Sequence, residues 1–111
     1  MTIDAVSGSA VAVDAAVSSA LKVLGDPVRW DIVRRLARED LCVCHLVEDL
    51  GIAQPLVSHH LRVLRGAGVV APERCGAFTY YVLDRAMLGR LARELDELGT
   101  KPRRPRRRPC T

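Results

Sequence analysis

Apolar residues recur at helical spacing in five stretches of this chain, interrupted once by a stretch with the alternation of strands. The first, "AVAVDAAVSSALKVLG" (10–25), reads as a helix of small apolar residues ending at Gly25. The second, "DPVRWDIVRRLARED" (26–40), opens with Asp26 as N-cap and Pro27 at the first helical position. Val28, Ile32, Val33 and Leu36 form its buried stripe, with Trp30 and Ala37 at the margin. Asp40 is placed to cap a third helix, 41–50, on which Val43, Leu46, Val47 and Leu50 share one face and which Gly51 ends. After the turn "GIAQ", Pro55 starts a fourth helix, "PLVSHHLRVLRGAG", which closes at Gly66 and Gly68. "VVAPERCGAFTYYVL" (69–83) then reads as two strands turning near Cys75-Gly76. A last helix, 84–99, is capped by Asp84 and carries Met87, Leu88, Leu91, Leu95 and Leu98 in one stripe.

These elements predict a mainly α fold with a small β-hairpin. Two short helices joined by a four-residue turn containing glycine form a helix-turn-helix. Its second helix is the one such proteins lay in the major groove of DNA. Val57, Leu61 and Leu64 recur at i, i+4, i+7 and must face inward. Ser58, His59 and Arg62 then face out, Gln54 sits at the helix start, and His60 falls beside the buried stripe, packed or touching phosphate. Arg74, in the strand pair, is placed to reach the flanking backbone. Double-stranded operator DNA is therefore the expected partner. The first and last helices are candidates for a two-fold homodimer interface, because nothing follows to cover the long final stripe. Folding of the last helix back onto the core would account for the same pattern.

Composition divides the chain further. Six of its seventeen Lys and Arg, and none of its thirteen acids, lie in "KPRRPRRRPCT" (101–111), leaving the body at −2 and the tail at +6. Three prolines forbid a helix there, so residues 100–111 read as a disordered basic tail that attracts phosphates without reading sequence, or as a solubilising tail. Residues 1–9 read as a flexible arm and 10–99 as one DNA-binding and dimerisation domain. The start lacks a secretory pattern and no apolar run spans a bilayer, so no membrane partner and a cytoplasmic address are expected. Thiols stay reduced there, and four cysteines do not indicate a disulfide framework.

Two of those cysteines, in "LCVCHLV" (41–47), pose a geometric problem. On a regular helix, residues two apart point about 200° from each other, so Cys42 and Cys44 should flank the core and not share a surface. A thiol–disulfide enzyme is a poor match, because the chain lacks the βαβ pattern that accompanies such chemistry. No catalytic residue and no catalytic cofactor are expected.

The segments "LGDPVRWDIVRRLA", "LCVCHLVEDLGIAQPLVSHHLRVLRGAGVV" and "ERCGAFTYYVL" resemble the arsenic- and metal-responsive repressors of the ArsR/SmtB family, over roughly residues 20–98 in one register. The resemblance implies a winged helix-turn-helix homodimer with the strand pair as wing, which leaves its operator when an inducer binds. It also implies that Cys42 and Cys44 hold the inducer, As(III) or Sb(III), as the paired cysteines of the arsenic-sensing branch do. Two features depart from related branches. Val47 stands where some arsenic sensors have a third cysteine, and no histidine follows Asp84 to build the zinc site of the last helix. The third ligand stays open, with Cys110 on the tail or a solvent thiol ranked first, His45 next and Cys75 last. Two cysteines and a histidine do not complete the zinc tetrahedron, whereas arsenite and antimonite accept low coordination. On this reading the first turn of helix 41–50 must unwind before both sulfurs can meet one ion. A redox-responsive repressor using a Cys42–Cys44 disulfide, a cadmium, lead or zinc sensor of the same fold, and an architectural DNA binder driven by the tail are the competing readings.

Overall fold

A computed structural model describes residues 15–100 and, in the tail, residues 102, 107, 109 and 110. The flexible arm expected at 1–9 and most of the expected basic tail lie outside the described residues.

Local signals set the helix starts. The described part of α1 spans 15–24, and Gly25 closes it by donating to the Lys22 carbonyl. Asp26 then stops the chain from running on. Its backbone is extended and its Oδ1 accepts from the N–H groups of Val28 and Arg29 at 2.8 and 3.1 Å, which starts α2, Pro27–Leu36. α2 ends four residues earlier than its periodicity suggests. The segment after it becomes β1, Leu41–Cys42, a strand that the sequence reading missed. The next helix, α3, spans Val43–Leu50, and its N-cap is Cys42 rather than Asp40, which is exposed. The cause is tertiary. Leu41 is buried in the core while pairing with Tyr81, and this holds the backbone extended where local pattern favoured a helix.

Gly51 ends α3 with φ 66°, a left-handed conformation that a side chain would strain. After Ile52 and Ala53, α4 runs Gln54–Gly66. The hairpin follows: β2, Val70–Cys75, and β3, Phe78–Leu83, joined by Gly76 and Ala77, with positive φ at Gly76. β3 is the middle strand of an antiparallel sheet ordered β1-β3-β2. α5, Arg85–Thr100, starts where Asp84 Oδ1 accepts from the Met87 N–H at 3.0 Å. The described residues thus form five helices and a small sheet: a winged helix-turn-helix, as the sequence indicated.

The core lies where α2, α3 and α4 meet the sheet. Ile32, Leu36, Leu46, Val57, Leu61, Leu64 and Val69 have almost no exposed surface. This seats α4 on a rigid base with its opposite face free. α5 joins the core through Met87, Leu88 and Leu91 only; Leu95 and Leu98 are 56% and 82% exposed. No described helix is long and apolar enough to cross a membrane.

Candidate thiol site and DNA interface

The thiol site is built by the change from β1 to α3. Cys42 is one residue outside the helix, with φ −90° and ψ 169°, so its side chain is freed from helical spacing. The donor atoms of Cys42, Cys44 and His45 all lie within 4.8 Å of one another. This corrects the expectation that the two sulfurs are held apart until a turn unwinds, since the strand before the helix already supplies the extended residue. His45 turns back toward the start of the helix. Its Nδ1 lies 3.2 Å from both the backbone nitrogen and the sulfur of Cys42, and accepts from that N–H as the third residue of the helix reaching back to the cap. Its ring sits 6.3 Å from that of Tyr80, centroid to centroid, at 41°.

The two thiols are shifted in opposite directions. Burial opposes a charge on Cys42, but the hydrogen bond from Cys44 and the backbone N–H groups around His45 and Cys44 outweigh it, and the pKa falls below the usual thiol value. For Cys44 the bond to Cys42 comes first, then burial, then the charge of Cys42, and together they raise its pKa. Cys42 is buried and Cys44 exposed, so the site pairs a protected sulfur with an accessible one. Among the described residues this is the one such group. Cys75 and Cys110 are exposed and stand outside it; Cys75 is on β2, two strands from Cys42. Two sulfurs and one imidazole make three donors, one short of the four that a structural zinc site takes.

α4 carries the second surface. Gln54, His59 and Arg62 are exposed on it and Ser58 is half-buried; Arg74 is exposed on β2. His60 does not join them. It is 7% exposed, and Arg29 Nη1 lies 3.1 Å from its Nδ1 while Arg29 Nε donates to the Val23 carbonyl at 2.6 Å. His60 therefore ties α4 to α2 and to the end of α1, and a direct phosphate contact from it is not available in this arrangement. Burial lowers its pKa, with help from the Arg29 and His59 charges and against the pull of Asp26. Sequence reasoning also missed Arg29, Tyr80 and Leu56. For Arg29 and Tyr80 the signal is a partner far along the chain. For Leu56 it was present: an apolar residue off the inward stripe of α4, and 45% exposed.

A polar helix face raised on a helix-turn-helix with a two-stranded wing beside it defines a DNA-binding transcription regulator, and a thiol group stands at the entrance to the preceding helix. The chain belongs to the arsR family of bacterial regulatory proteins, whose family model matches residues 26–71. It is 35% identical over 83 residues to an arsenical resistance operon repressor of Staphylococcus xylosus, covering 75% of this chain and 80% of that one. It is 48% identical over 63 residues to the transcriptional repressor SmtB of Mycobacterium tuberculosis, covering 57% of this chain and 47% of that protein. The fold matches a solved structure described as an ArsR-like transcriptional regulator from Rhodococcus sp. RHA1 with TM-score 0.73 and 28% identity, over 79% of this chain and 83% of that one. The family and these relatives are transcription regulators and not enzymes.

Proposed function

We propose that this chain is a homodimeric repressor that leaves its operator when As(III) or Sb(III) binds Cys42 and Cys44. One observation carries the reading: the donor atoms of Cys42, Cys44 and His45 gather within 4.8 Å at the start of the helix that precedes the recognition helix. The naming of the S. xylosus relative as an arsenical resistance operon repressor supports the choice of ion.

The chemistry balances as ligand exchange. Arsenous acid, As(OH)₃, meets two thiols; two As–S bonds form, two As–O bonds break, and two waters leave with the thiol protons. Cys42, the more readily ionised, is suited to attack first, and exposed Cys44 closes the chelate. His45 is within reach as third ligand and now ranks ahead of Cys110. The same atoms hold α3 in place, because Cys42 is its N-cap and His45 its capping acceptor. Occupying them removes the cap of a helix that packs on α4. A tilt of α4, doubled by two-fold symmetry, disturbs the spacing of half-sites roughly 34–36 Å apart. By linkage, DNA weakens inducer binding by the same factor. Leu95 and Leu98 on α5, with half-exposed Leu21 on α1, supply an apolar surface for the second subunit.

Outward Gln54, Ser58, His59 and Arg62 contact the major groove in this reading, and Arg74 the flanking phosphates. The two neighbouring thiols favour one alternative trigger, oxidation to a disulfide by peroxide. Operator release titrated with arsenite, antimonite, zinc, cadmium and peroxide separates them. Arsenite and antimonite should release the wild type, while Cys42→Ser and Cys44→Ser should hold DNA at every concentration and Cys110→Ser should respond as wild type. An arsenite titration that leaves wild-type affinity unchanged refutes the proposal.

A further inference from the structure

We propose that Leu56 reads the C5-methyl group of a thymine in the major groove, and so sets one base of the operator half-site. The inference rests on the reading of α4 as the recognition helix and is independent of the thiol site.

Leu56 is the third residue of α4, in the N-terminal turn that recognition helices bring to base edges. It has no packing duty comparable to that of its neighbour. Val57 is fully buried and, with Leu61 and Leu64, fills the inward face, while Leu56 is turned about 100° away from it and keeps 45% of its surface in solvent. The residue beside it on the free side is polar: His59, one turn on and exposed. An apolar side chain in such a group gains nothing from phosphate, sugar hydroxyl or water. Among base edges of the major groove, the thymine methyl is the apolar group, and apolar contact is how side chains distinguish it. His59 supplies a hydrogen-bonding group one turn along the same side, so the leucine has beside it a residue that can fix the register of the base it touches.

The size of the effect follows from one buried methyl group, about fourfold in affinity per half-site and about fifteenfold for a two-fold operator. The experiment begins with wild-type protein selecting its site from a randomised duplex library. Each thymine of that site is then replaced by deoxyuridine, which lacks only the methyl. Wild type should lose about fourfold at one thymine position per half-site. Leu56→Ala and Leu56→Gln, at an exposed position that leaves the core intact, should bind thymine and deoxyuridine duplexes equally. Wild type indifferent to every replacement, or variants as sensitive as wild type at the same position, overturns the proposal. Arsenite release from these duplexes reports separately on the thiol site. Its absence with the thymine preference intact counts against the inducer reading alone.

Discussion

Cys42 is paired with Tyr80 in the antiparallel register of β1 and β3. A residue that can hold an ion is thereby also a rung of the ladder that carries the wing, and the Tyr80 ring lies beside His45 of the same group. The thiol site touches the DNA-binding surface along two paths: through α3 to α4, and through β3 to β2 and Arg74.

The second path can be tested at Tyr80. Tyr80→Ala keeps the backbone pairing and removes the ring. Operator affinity without arsenite should stay within about threefold of wild type, while the ratio of affinities without and with arsenite should shrink severalfold, within the 5–150-fold span usual for coupling between sites. Fluorescence anisotropy on both states gives this ratio. An unchanged ratio removes the ring from the route.

Acid should loosen the joint between α4 and α2. His60 has its pKa lowered in the folded chain, so above its ordinary value, near 6.5, both folded and unfolded states are neutral and no difference arises. As pH falls through about 6.5 the unfolded state takes a proton that the folded state resists, and stability declines until the lowered folded value is passed. Urea unfolding across pH 8 to 5 should show this decline in wild type and a flatter profile in His60→Gln, which keeps an acceptor for Arg29. Equal slopes would assign the decline to other groups.

Leu46 anchors α3 from within, with no exposed surface. Leu46→Ala should cost about 2–5 kcal/mol, the range for deleting a buried leucine. Chemical denaturation measures it directly. Operator affinity should fall as well at temperatures where the variant is still folded, because α3 supports α4; full affinity in a folded variant would detach the two helices functionally.

The outer half of α5 predicts assembly. Leu95→Glu together with Leu98→Glu places charges on a face that the single chain leaves in water. Wild type should sediment as a dimer and the variant as a monomer that binds a two-half-site operator far more weakly, with its helical content retained. Dimerisation unaffected by both charges would move the interface elsewhere.

Much of this architecture was readable from local pattern. Val57, Leu61 and Leu64 fixed the inward face of α4, Gly51 its preceding turn, and Asp26 and Asp84 the starts of α2 and α5. What escaped is non-local. A two-residue strand has no period to detect, and its partner in β3 lies some forty residues on, so Cys42 was assigned to a helix it only caps. The wheel left His60 on a border, and the decision came from Arg29 on another helix. The exposed side of α4 was legible as an outward face; the gathering of the thiols with His45 was not, because it depends on that one extended residue.

The Nδ1 atom of His45 has a single lone pair, and at rest it is committed to the backbone of Cys42. An incoming ion that wants this nitrogen must evict an internal occupant, so the protein guards its own receptor with a placeholder. Two-point attachment through sulfur can proceed without disturbing it, and only a third bond forces the exchange. Attachment through sulfur alone and attachment through sulfur and nitrogen are then different events, and the second comes at the cost of a bond the helix start already uses.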